Sequence, residues 1–303
     1  MSVSRLEPLA KLVIKSPYLT RKLFDFYTQL IVHAPSSHAI KQSRSMANFL
    51  GKDRLGVGEQ SREEIFNNLA LLRCFEIPDS ELVRIGPSHD GGYVIYKNIS
   101  HITKVISIGV AEDTSFEEDF CSRNPIAEFF LFDHTITPKR ILPANFYFYS
   151  LGLNKEVKSQ FVNLDYIVDS HLTSSDKSIL KIDIEGSEYE ALRETKVEIL
   201  DNFEQILIEI HEINEEKLSS VMFKQLLLKF RDRFNLVHIH GNNNDGYSLI
   251  RGACVPQTLE LTFVNKKIDI SEVVGSAIFP RGLDFPNTTG DDLALGAFRF
   301  QTY

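Results

Sequence analysis

Three short stretches of this 303-residue chain place ionisable side chains two residues apart: Asp183 and Glu185 in KIDIEGSE, Glu209 and His211 in IEIHE, and His238 and His240 in HIHGNNND. In an extended strand, a spacing of two puts both members of a pair on one face. Acids and imidazoles gathered this way can hold a hard divalent cation through oxygen and nitrogen. Alternatively, a histidine can take a proton near neutral pH. Asp183, Glu209, His211 and His240 are therefore the candidate ligands of a divalent cation, Mg or Mn. Asp183, His211 and His240 are the candidate catalytic groups. Spacing alone leaves metal and base both open.

Other apolar runs end in polar residues of the same kind. SIGVAEDTSFEEDF has Gly109 where a strand should stop, followed by Ser115 at the start of a helical pattern. A glycine there lets the backbone turn close to a ligand. The stretch lacks the G-x-G-x-x-G dinucleotide fingerprint, which disfavours a nicotinamide-dependent dehydrogenase. Glu112, Asp113, Glu117 and Glu118 crowd the same turn. They would repel a pyrophosphate but tolerate a cationic ligand. Asp133 closes the next run, LFD, at a position where an acid can accept hydrogen bonds from ribose hydroxyls. HGNNNDG adds neutral donors and acceptors at another strand end.

These residues need a scaffold that brings strand ends together. Apolar, β-branched runs occur at 104–110, 127–133, 146–153, 178–185, 205–211 and 236–241. Helical patterns such as SFEEDFCSR, SEYEALRETKVEIL and SSVMFKQLLLKFRDRF lie between several of them. Such alternation predicts a mostly parallel, doubly wound sheet covered on both faces. A late run, TLELTFVNK at 258–266, predicts one more strand, antiparallel and at the edge. SREEIFNNLALLRCF predicts a helix with Ser61 as N-cap and Glu64 three residues on. RIGPSHDGGYVIY predicts a turn before a short strand.

Composition limits the function classes. No run of eighteen apolar residues occurs, and the first residues lack the pattern of a secretory signal. Three cysteines without C-x-x-C spacing argue for a reducing, cytoplasmic setting. Residues 1–55 carry nine Lys/Arg against three Asp/Glu, leaving −14 on the rest of a chain whose net charge is −8. So acidic a body is a poor nucleic-acid binder. The division expected is a basic helical extension over 1–60 and one catalytic domain over 61–303. The extension is either a solvated appendage or a docking segment for a membrane surface or a protein partner.

The segment LKIDIEGSEYEAL resembles the signature of the FkbM-type methyltransferases. SIGVAEDTSFEEDF, FDHT and the aspartate of VNLDYIV, Asp165, follow in that family's order. RIGPSHDGGYVI looks like the upstream segment of one of its subgroups. The resemblance implies a Rossmann-like class I methyltransferase fold that binds S-adenosylmethionine, whose ammonium and sulfonium suit an acidic rim. It implies that Arg84, Asp90, Gly91 and Gly92 line the cofactor pocket. Gly109 and Glu112, with Ser115 beside them, would cradle the methionine part, Asp133 would hold the ribose, and Asp165 would join the set. Asp183 would lie nearest the transferred methyl group. The implied activity is O-methylation of a sugar or glycan hydroxyl, such as a surface polysaccharide. A natural-product O- or N-methyltransferase and a non-catalytic binding module of the same fold are the alternatives. The E-x-H and H-x-H pairs and residues 1–60 lie outside what the resemblance explains.

Overall fold

Short runs of Val, Ile, Leu and Phe that are apolar on both faces fold as strands only if both faces are covered. A computed structural model describes residues 59–250, 253–273 and 277–300. Its strands are β1 (Leu82–Ile85), β2 (Tyr93–Tyr96), β3 (Lys104–Ile108), β4 (Glu128–Phe132), β5 (Phe146–Tyr149), β6 (Gly152–Leu153), β7 (Phe161–Val162), β8 (Ser178–Ile182), β9 (Phe203–Ile210), β10 (Phe234–Gly241), β11 (Tyr247–Ile250), β12 (Ala253–Pro256) and β13 (Leu259–Asn265). Its helices are α1 (Glu59–Ala70), α2 (Ser115–Arg123), α3 (Leu164–His171), α4 (Glu188–Ala191), α5 (Val197–Leu200), α6 (Glu215–Leu218) and α7 (Val221–Arg233). No helix among the described residues is long and apolar enough to cross a membrane. The basic extension expected over 1–60 lies almost wholly outside the described residues.

Seven strands form one sheet in the order β10-β13-β9-β8-β3-β4-β5. Strands β5, β4, β3, β8 and β9 run parallel to one another, while β13 is antiparallel to both β9 and β10. This is the Rossmann-like, doubly wound α/β fold expected, with its late antiparallel strand. The strand order reverses at β3, the place where such sheets leave a crevice beyond the strand ends.

One expectation about β13 fails. It is not an edge strand but lies between β9 and β10, and all seven of its residues are buried. An edge position would leave a row of N–H and C=O groups unpaired beside a strand buried on both faces. Two helix readings also change. The helix expected from Ser61 already runs at Glu59, so Ser61 lies inside it instead of capping it. The pattern SEYEALRETKVEIL breaks into α4 and α5, and in the break Lys229 Nζ donates to the carbonyls of Leu192, Arg193 and Thr195. Ser220 does cap α7 as its side chain accepts from the Phe223 N–H.

Alternation along the strands sends Ile106, Ile108, Leu180, Ile182, Ile206 and Ile208 to one face, under α1 and α7. The other face packs Val105, Ile179 and Leu207 against Phe116 and Phe120 of α2 and against the β1–β2 hairpin. Each such side chain contributes roughly 1.5–3 kcal/mol on burial. The hairpin is also fixed by polar groups. Gln205 accepts from the Tyr96 N–H and donates to its carbonyl, and Thr262 Oγ1 donates to the Val94 carbonyl. That docking sets the D-G-G-Y turn above the strand ends.

Candidate active site

Where β3 and β8 end side by side, their backbones nearly touch. Gly109 has φ +80°, and a Cβ built on it would stand 1.6 Å from the Asp183 carbonyl oxygen. No residue with a side chain fits there. Gly109 N–H donates to the Phe132 carbonyl, and Asp183 N–H donates to the Ile108 carbonyl. Asp133 Oδ2 accepts from the Ala111 N–H, while Oδ1 accepts from both the N–H and the hydroxyl of Thr135. Gly109, Asp133 and Asp183 thus stand at adjacent strand ends, where a crevice is expected because the strand order reverses at β3. Burial alone would raise the Asp133 pKa, but its bonds to Thr135 and Ala111 hold it below the usual carboxylate range. A cavity of about 230 Å³ lies beside this turn, lined in part by Val110, Ala111, Glu112, Ile136 and Phe148.

The D-G-G-Y turn closes the crevice from the hairpin side. Arg84 donates from Nε to the Pro87 carbonyl and from Nη2 to the His89 carbonyl. A Cβ on Gly92 would collide with the Pro87 carbonyl and with the Arg84 guanidinium. Gly91 approaches Asp113, whose other oxygen accepts from the Ser115 N–H. Asp90 accepts from Asn287 Nδ2 of the C-terminal segment. Ser115 Oγ is buried with no hydrogen-bond partner among the described residues. Glu112 is exposed and paired with Lys139 at 2.5 Å. Asp165 sits elsewhere, in the first turn of α3, and its charge acts on Lys229 of α7. The structure therefore does not gather Asp165 with the strand-end groups.

At the ends of β8 and β9, Asp183, Glu209 and His211 converge, each offering a ligand atom within 4.8 Å of the others. His211 Nε2 stands 3.7 Å from Asp183 Oδ1, 3.6 Å from Glu209 Oε1 and 3.6 Å from Glu185 Oε2. Its Nδ1 is 2.8 Å from Glu188 Oε1, so that carboxylate fixes the ring. Tyr93 OH lies 3.3 Å from Asp183 Oδ2 and 3.2 Å from Glu209 Oε2. Asn242 Nδ2 donates to Glu209 Oε1 at 2.8 Å. Burial pushes Asp183 up to about 6 and raises Glu209 well above its usual range. Burial would lower His211, but the Glu188 bond and charge, with Glu209 and Asp183, push it up to about 9.

The expected fourth ligand is not there. His240 lies in the same cross-strand row, opposite Glu260 of β13, which in turn lies opposite Glu209. The insertion of β13 separates β9 from β10 by two strand spacings, about 10 Å. Both ring nitrogens of His240 are already engaged, Nδ1 with Glu260 at 2.9 Å and Nε2 with Asp292 at 3.0 Å. His238 Nε2 is likewise held by Asp284. His240 therefore belongs to the packing of the C-terminal segment. The same holds for part of the amide-rich turn: Asn243 bonds to Thr288 and Asp291, and Asp245 accepts from Thr258.

Three members of the site escaped the sequence reading. Tyr93 stood in the D-G-G-Y segment, Glu188 in EGSEYE and Asn242 in HGNNND, but nothing local showed that they meet Asp183, Glu209 and His211.

Comparison with solved structures finds likeness at low identity. A protein of Thermobifida fusca YX assigned as a methyltransferase is 12% identical with a TM-score of 0.33, over 74% of this chain and 88% of that one. The calicheamicin-biosynthesis methyltransferase CalO1, in its SAH-bound form, is 12% identical with a TM-score of 0.28, over 66% and 54%. The plantazolicin methyltransferase BpumL in complex with SAH is 14% identical with a TM-score of 0.28, over 79% and 93%. No curated protein matches. The family model of the methyltransferase FkbM domain matches residues 78–237, more than half of the chain and the span that builds the hairpin, the crevice and the cluster. The chain belongs to the FkbM family and is a methyltransferase.

Proposed function

We propose that the protein is an S-adenosylmethionine-dependent O-methyltransferase acting on a hydroxyl of a sugar or glycan. The observation that carries this reading is the convergence of Asp183, Glu209 and His211 beside the Gly109 crevice. The cofactor supplies a methyl group on a sulfonium. The strand ends suit such a cation: Asp183 and Glu209 stand there together, Gly109 lets the ends of β3 and β8 close up, and Ser115 Oγ is buried without a partner among the described residues. Asp133 spends three acceptor positions on the chain itself, so about one of its roughly four lone-pair sites remains for a ribose hydroxyl.

Methyl transfer to an alcohol forms an O–C bond as the S–C bond breaks, with the bonding electrons returning to sulfur. The hydroxyl proton must leave as well. Asp183 stands where it can go, and His211 can take it once its own proton has left; a divalent cation held there, Mg or Mn, would make the hydroxyl more acidic. Positioning of the two reactants by the D-G-G-Y turn supplies a further part of the rate. A polar mouth of carboxylates suits a saccharide better than a flat aromatic acceptor. This reading takes residues 61–303 as the methyltransferase unit and residues 1–60 as a basic appendage, either solvated or docking on a membrane surface or a protein partner.

The test is thermal protection followed by transfer. The demethylated cofactor product at 100 times its Kd adds about 2.7 kcal/mol of stability. Incubation with labelled cofactor and a glycan panel should then label a saccharide. No protection by the product, or label appearing only on non-saccharide acceptors, overturns the assignment.

A further inference from the structure

We propose that Asp183, Glu209 and His211 are a binding site for one divalent cation, with Glu188 orienting the histidine and the open side of the ion facing the acceptor. Only its last clause rests on the methyl-transfer reading above.

The first observation is a nitrogen without a hydrogen bond. The His211 side chain is nine-tenths buried, yet Nε2 makes no hydrogen bond among the described residues. It points instead at three carboxylate oxygens, all 3.6–3.7 Å away. That distance is too long for a hydrogen bond. An octahedral ion about 2.1 Å from each donor holds neighbouring donors about 3.0 Å apart, so a contraction of roughly 0.6 Å would bring these groups onto one ion.

The second observation is charge. Asp183, Glu185, Glu188 and Glu209 surround this one imidazole, and none of them forms an ion pair with a lysine or arginine among the described residues. The nearby Lys181 is paired with Glu117. Glu188 and Glu209 are buried, and sharing one imidazole as the counter-charge of four carboxylates is costly. A divalent ion between them removes that cost.

The third is support from behind. Metal-bound imidazoles commonly hand their other ring nitrogen to a carboxylate, as His211 does to Glu188. Tyr93 holds the outer oxygens of Asp183 and Glu209, and Asn242 steadies Glu209. There is an entry path, since Asp183 is 26% exposed and Glu185 87% exposed at the mouth. Two carboxylates and one imidazole suit Mn and Mg and leave several coordination positions for water or acceptor oxygens.

The experiment titrates the full chain with Mn²⁺ alone, without cofactor or acceptor, and follows loss of the free-ion electron paramagnetic resonance signal. One site is expected, competed by Mg²⁺. Asp183→Asn and His211→Gln should each weaken it at least ten-fold, and Glu188→Gln should weaken it to a smaller degree. Circular dichroism identifies any variant that fails to fold, and Asp183→Asn, nearly isosteric and partly exposed, is then the deciding one. His240→Gln should bind Mn²⁺ like the parent. No bound Mn²⁺ at millimolar concentration, or equal affinity in parent and Asp183→Asn, overturns the site. Because no methyl donor is present, a chain that binds Mn²⁺ but is not protected by the cofactor product would sink the methyl-transfer reading and leave the cation site standing.

Discussion

His211 and His240 sit in the same sheet, each at the end of a long strand and each among carboxylates, yet they do opposite things with their ring nitrogens. His240 gives both nitrogens to acids, Glu260 and Asp292, and is 1% exposed. His211 gives one to Glu188 and aims the other at an opening. A histidine with both nitrogens engaged is a fastener, here between β10, β13 and the C-terminal segment. A histidine with one nitrogen fixed and one without a hydrogen bond is the one the proposed chemistry can use. Residue types are alike in the two clusters, while the His211 cluster is the more open one and has one ring nitrogen without a hydrogen bond.

The comparison breaks first at Asp183. Asp183→Asn should lower methyl transfer by roughly 10²–10⁴-fold while the melting temperature stays near the parent's. A fall of less than ten-fold in a steady-state assay would make the open cluster no more chemical than the closed one. Glu188→Gln should follow, with a loss of about 10–100-fold in turnover or cation affinity, because the ring keeps its place but loses the charge behind it. Unchanged turnover would mean that Glu188 merely packs.

The closed cluster should respond in stability. His240→Gln should cost about 1–3 kcal/mol, since buried carboxylates lose their donors, with turnover retained below the melting transition. Denaturant unfolding measures the first and the assay the second. Its pH dependence sharpens the contrast. Burial would lower His240, but the bonds to Asp292 and Glu260 outweigh it and push it up to about 10 from 6.5. A group raised on folding contributes fully below its unfolded pKa and loses that contribution as pH rises through the folded one. The parent should therefore lose stability steadily between those two values, and His240→Gln should show a flatter alkaline limb. Equal limbs would mean the imidazole is not charged in the fold. Tyr93→Phe carries the smallest effect, about 1 kcal/mol, because one phenolic hydrogen is shared between two oxygens.

Much of the fold was legible because it is written in local patterns. The runs at 104–110, 127–133, 178–185 and 205–211 each became a parallel strand, with ends in Ile108, Phe132, Ile182 and Ile210 and polar residues immediately after. Gly109 was legible for the same reason: a glycine after an apolar run marks a backbone that must bend. The placing of β13 was not legible, since a strand's neighbours depend on which hydrogen-bonding edges remain open when it arrives. The fate of His240 followed from that placement.

The sequence by itself determined that acids and histidines would cap parallel strands, that Gly109 and Asp183 would stand at such ends, and that the segment KIDIEGSE marks a methyltransferase. Only the tertiary structure decided which of those groups meet. Tyr93, Glu188 and Asn242 reach Asp183, Glu209 and His211 across gaps of 23 to 116 residues, and Asp292 reaches His240 across 52. The physical reason is that strand spacing and side-chain alternation follow from a few neighbouring residues, whereas the partner of a ring nitrogen is settled by packing between segments far apart in the chain.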